Sequence, residues 1–173
     1  MVKNNFGLRG ILHHYSLLDY LKDIILPFLF SFIVMIFAIY KKCNSYGLLV
    51  NIIEMALNII PALFSLLLTA YLFLLTFLQT DKLKVLFDSN DGKKLLLQLN
   101  SSFALCVLVA AISLAVSLVI YVVIKLGFSS SIADYINYCA VFFILLQLSF
   151  LVKIQLGIVI DLYNCGQATF YIK

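Results

Sequence analysis

Apolar residues fall in four long stretches, 24–40, 55–78, 103–124 and 138–160, and nearly all the charge lies between them. Each stretch nears or exceeds the ~20 residues with which an α-helix crosses ~30 Å of hydrocarbon. The pattern predicts an all-α integral membrane four-helix bundle, a single transmembrane domain over residues 1–173. Between the second and third stretches, Ser89-Asn90-Asp91-Gly92 is a strong turn signal. Leu83, Val85, Leu86 and Phe87 precede it, and Leu95, Leu96, Leu97 and Leu99 follow it. Helices 2 and 3 are therefore expected to project from the membrane and close a hairpin over about 79–102.

Composition removes the soluble alternative, because 64% of residues are hydrophobic and 12% charged, against about a quarter charged in soluble domains. The first apolar run follows some twenty mixed residues, lacks a small-residue cleavage site and is bounded by Lys41 and Lys42. It reads as a retained helix rather than a signal peptide. Basic residues then set the threading, since Lys and Arg are held on the cytoplasmic side. Alternate segments carry Lys3, Arg9, Lys22, Lys82, Lys84, Lys93, Lys94, Lys153 and Lys173 on one side, and only Lys41, Lys42 and Lys125 on the other. Both termini and the hairpin are expected in the cytoplasm.

Polar residues inside the spans carry the candidate chemistry. Asn51, Glu54, Asn58, Ala62, Ser65, Thr69 and Thr76 recur at intervals of 3, 4, 4, 3, 4 and 7, which places them on one helical face. A carboxylate in hydrocarbon costs several kcal/mol, so Asn51, Glu54 and Asn58 should stay near the outer interface or face helices or water. The seam either packs into the bundle or an oligomer interface, or lines a wet path with Glu54 at its outer mouth. Ala111/Ala115 and Ser113/Ser117 on the third span permit close helix approach and suggest that this helix is central. Gln147 on the fourth is the candidate for a buried helix-to-helix hydrogen bond.

Outside the spans, Asp81, Lys82, Lys84, Asp88, Lys93 and Lys94 give the hairpin a charged face suited to docking a partner, although its leucines could equally bury one another. The stretch 10–23 mixes Leu and Tyr with His13, His14, Asp19 and Lys22, as in a helix lying on the inner leaflet. Cys43, Cys106, Cys139 and Cys165 have neither metal-ligand spacing nor an evident disulfide partner. No HExxH, GxSxG or phosphate-cradling glycine loop occurs. The chain is expected to be no enzyme, to need no cofactor and to bind no nucleic acid directly.

Four spans with both ends inside and a protruding hairpin containing TDKLKVLFDSNDGKKLL resemble the transmembrane subunit of the bacterial Kiwa anti-phage system. The likeness is architectural and spans the whole chain. It implies an inner-membrane homo-oligomer, a tetramer, that senses infection at the envelope and holds a cytoplasmic DNA-binding protein. Read from the residues alone, the expectation is an oligomeric scaffold or sensor in the lipid bilayer that presents a cytoplasmic docking face. The alternative is a pore-former, a channel or a holin-like membrane effector, motivated by Glu54.

Overall fold

The structure, a computed structural model, describes residues 17–78, 90–126 and 133–171. Among them the chain forms α1 (Leu17–Tyr40), α2 (Ser45–Leu78), α3 (Asn90–Lys125) and α4 (Ala133–Tyr171). All four are long and apolar enough to cross a membrane. The chain is an all-α, multi-pass membrane protein.

Local chemistry places the helix ends. Lys42 adopts a left-handed φ of 50° after α1, and Lys42 N–H and Cys43 N–H donate to the carbonyls of Ile39 and Ala38 at 3.0 and 3.1 Å. This is a Schellman closure with lysine at the position that usually takes glycine. Asn44 then caps α2, its Oδ1 accepting from the N–H of Tyr46 and of Gly47 at 3.1 and 3.3 Å. That cap starts α2 at Ser45, ten residues before the apolar run beginning at 55. Asn51 and Glu54 lower the local hydropathy without interrupting the backbone ladder, so hydropathy misplaces the helix start. Pro61 does not end α2, and Pro27 does not end α1. Residues 17–23, expected on the membrane surface, instead continue α1, while 10–16 lie outside the described residues.

The packing corrects the expectation that the third span is central. Among the described residues α4 touches α1, α2 and α3, α3 packs on α2 and α4, and α1 packs on α4 alone. Large side chains of all three inner helices form the core, including Ile53 and Ile60 of α2, Phe103 and Cys106 of α3, and Ile144 and Leu151 of α4. Peripheral α1 exposes Ile25, Leu29, Phe30, Ile33, Ile36 and Phe37, a surface for lipid. It buries Pro27 and Ser31, whose hydroxyl donates to the Pro27 carbonyl at 2.8 Å.

One end of the bundle is closed by short connections and can be called the turn end. There α4 clasps the α1–α2 turn: Ser45 Oγ donates to Asp134 Oδ1, Asn137 Nδ2 donates to Ser45 Oγ at 3.3 Å, and Tyr138 Oη donates to the Cys43 carbonyl at 2.6 Å. At ~1.5 Å per residue, α1 is about 36 Å long, whereas α2, α3 and α4 are about 50–60 Å. With their turn ends level, the three longer helices reach roughly 20 Å past Leu17, the first described residue of α1, at the opposite end. Helix 4 therefore joins helices 2 and 3 in the projection.

Candidate functional site

α1 is exposed over much of its surface. Its apolar part ends at Tyr40 on one side and at Lys22 and Asp23 on the other. Asp23 pairs with Lys153 of α4 at 3.5 Å. Two residues farther along, Gln155 Nε2 donates to the carbonyl of Leu63 on α2 at 3.0 Å. On α2 the levels of Ser45 and Leu63 lie roughly 27 Å apart at ~1.5 Å per residue, and the apolar stretch of that helix runs on to Leu72.

Glu54 lies midway between those levels, about 13 Å from either at ~1.5 Å per residue. Asn51, Glu54, Asn58, Ala62, Ser65, Thr69 and Thr76 are all exposed on the surface of the single chain. Packing of the seam inside its own bundle is therefore excluded: Ile52, Ile53, Ala56, Ile60 and Leu67 occupy the buried side of α2. The hydroxyls of Thr69 and Thr76 donate to the carbonyls of Ser65 and Leu72, each at 3.0 Å, which satisfies them within the helix. Asn51, Glu54 and Asn58 make no hydrogen bond among the described residues. An ionised side chain at a helix centre facing lipid costs about 2.5–3.5 kcal/mol.

Gln147 does not make the expected helix-to-helix bond. Its Oε1 is buried without a hydrogen-bond partner, as is Ser117 Oγ, and Gln147 lines a small cavity with Ser113, Val109 and Phe150. Gln155 makes the interhelical bond instead, because its side chain meets a backbone carbonyl on α2. Among the expected docking residues, Asp81, Lys82, Lys84 and Asp88 lie outside the described residues. Lys93 is exposed in the first turn of α3, and the Lys94 side chain is likewise outside the described set.

A second polar constellation is assembled only by the fold. At the level of Asp23 and Lys153, a cleft of about 230 Å³ opens between α1, α3 and α4, lined by Lys22, Asp23, Gln98, Ser102, Lys153, Gly157 and Asp161. Its one trace in the sequence is opposite charge at corresponding ends of the first and fourth spans, Asp23 against Lys153. No group of three His, Cys, Asp or Glu side chains suited to a metal occurs among the described residues. Cys43, Cys106 and Cys139 are free thiols.

No protein family, curated protein or solved structure matches the chain. Its function is therefore read from the residues and their geometry.

Proposed function

We propose that the protein is a homo-oligomeric subunit of a bacterial inner membrane, a scaffold or sensor whose projecting helices recruit a cytoplasmic partner, as in anti-phage defence. One observation carries the proposal: Asn51, Glu54 and Asn58 are exposed on a helix long and apolar enough to cross a membrane, on a face where lipid would offer them nothing. A neighbouring subunit supplies the polar surface, since Asn side chains both donate and accept and so complement their own kind. The nine-to-three division of basic residues assigns the projecting end and both termini to the cytoplasm.

The projection supports recruitment. Towards that end it exposes Leu66, Leu72, Leu75, Leu97, Ile160 and Tyr163, an apolar surface that protein contacts would cover wherever it leaves the hydrocarbon. The resemblance to the Kiwa subunit adds a tetramer and a DNA-binding partner to this reading.

Cysteine crosslinking tests the assembly. In a background with Cys43, Cys139 and Cys165 changed to Ala, Asn58→Cys should crosslink to itself in native membranes, whereas Ile33→Cys on the exposed face of α1 should not. Equal crosslinking at both positions, or none at Asn58→Cys, would remove the α2 interface. Neutralising Asp81, Lys82, Lys84 and Asp88 together should preserve insertion and crosslinking while eliminating the co-purifying cytoplasmic protein; an unchanged pull-down would place docking elsewhere.

A conduit is the second reading, and the exposure of Glu54 on that helix favours it, because a ring of carboxylates around an axis draws in water and cations. Sealed liposomes holding the crosslinked assembly separate the two. A conduit passes potassium and loses cation preference on Glu54→Gln, whereas a scaffold stays tight.

A further inference from the structure

The polar cleft at the projecting end has the composition of a zwitterion receptor. Asp23 and Lys153 neutralise one another across 3.5 Å, and their side chains remain about one-third exposed. On either side of that pair stand a cation and an anion that have no counter-ion among the described residues: Lys22 of α1 and Asp161 of α4. Two turns of α4 separate Lys153 from Asp161, and Gly157 lies between them on the same wall. A Cβ added at Gly157 would meet nothing within 4 Å, so the glycine leaves the floor of the cleft open. Gln98 and Ser102 of α3 complete the lining, with Ser102 Oγ already donating to the Gln98 carbonyl at 3.0 Å.

The position of the cleft selects an amphiphile. It sits where the apolar part of α1 ends, at the depth of one leaflet's headgroups. Lys153 also lines an apolar groove of about 540 Å³ that climbs toward the membrane centre along Leu26, Phe30, Ile59, Leu148 and Leu156. A soluble zwitterion would leave that groove unused.

We propose that this cleft is a binding site for a phospholipid bearing a phosphodiester and a primary ammonium, the phosphatidylethanolamine class. The phosphate lies against Lys22 and Lys153, and the ammonium donates to Asp161 and to the side-chain carbonyl of Gln98. A quaternary ammonium lacks those N–H donors, and a glycerol headgroup lacks the positive charge, so phosphatidylcholine and phosphatidylglycerol each lose one half of the recognition. The site does not depend on the oligomer or on the cytoplasmic partner.

Lipid retention measured by native mass spectrometry on the full chain, released from nanodiscs of equal phosphatidylethanolamine, phosphatidylcholine and phosphatidylglycerol, tests the assignment. The wild-type chain should retain phosphatidylethanolamine about tenfold over either competitor, as expected for one or two charge-assisted hydrogen bonds. Asp161→Asn should bring phosphatidylethanolamine down to the level of phosphatidylcholine. Gly157→Leu, which fills the cleft without altering charge, should lose retained phosphatidylethanolamine while α4 gains helix propensity. Equal retention of all three lipids by the wild type identifies annular lipid only and overturns the site. A preference that survives both substitutions overturns it as well.

Discussion

A chain carrying Asn51→Leu, Glu54→Leu and Asn58→Leu together should insert normally and run as a monomer. Interhelical hydrogen bonds in membranes contribute about 0.6–2 kcal/mol each, so removing three positions weakens each subunit contact by about 2–6 kcal/mol on that scale. At ~1.4 kcal/mol per factor of ten, this amounts to roughly 30-fold to 20,000-fold in association. Leucine is at home against lipid, and deleting Glu54 lowers the insertion cost of α2, so loss of the oligomer would not reflect loss of the fold. Single-molecule photobleaching in native membranes gives the stoichiometry directly. An undiminished step count would show that the subunits meet on another face, and the outward Glu54 would then have to be wet.

Phe103→Ala carries the largest expected effect on stability, about 3–5 kcal/mol by the experience of buried aromatic truncations. Phe103 of α3 is 1% exposed and belongs to the core shared by α2, α3 and α4. Its ring meets Tyr71 of α2 with centroids 5.3 Å apart and planes tilted by 48°. Tyr71 in turn donates from its hydroxyl to Asn100 Oδ1 at 2.8 Å, so the ring contact and the polar contact tie α2 to α3 where the projection begins. In a membrane, the driving force for helix association is packing rather than water exclusion, and a cavity forfeits that packing outright. Phe32→Ala on exposed α1 is the control, because lipid fills the space that the ring vacates. Unfolding by denaturant in mixed micelles should separate the two variants by several kcal/mol; equal destabilisation would mean that Phe103 does not hold the helices together.

The polar seam of α2 marks how far residue spacing reaches. Intervals of three and four put Asn51, Glu54 and Asn58 on one helical face, and all three side chains do share an exposed face of α2. Spacing does not say what that face meets. Hydropathy assigns Asn51 and Glu54 to the rim because they interrupt an apolar run, yet the side chain of Asn44 caps the helix ten residues before that run. Which residues lie level with one another follows from contacts on other helices: Ser45 with Asp134, Leu63 with Gln155, and Asp23 with Lys153. The two glutamines make the same point. Gln147 and Gln155 are indistinguishable as intramembrane amides on α4, but only Gln155 points at a carbonyl it can reach.

The amino-acid sequence by itself determined that the chain is a membrane protein with four helices long and apolar enough to cross the hydrocarbon. Long apolar runs admit no other way of satisfying the backbone in lipid. Only the tertiary structure decided that α4 rather than α3 is the hub, that α1 is a lipid-facing outrigger, and that the polar face of α2 is turned away from its own bundle. The physical reason is that a span meets apolar surroundings on every side, protein or lipid, so its apolar residues carry little record of which side is which. Helix partners are then chosen by shape and by a few hydrogen bonds, and those become visible only when the helices are side by side.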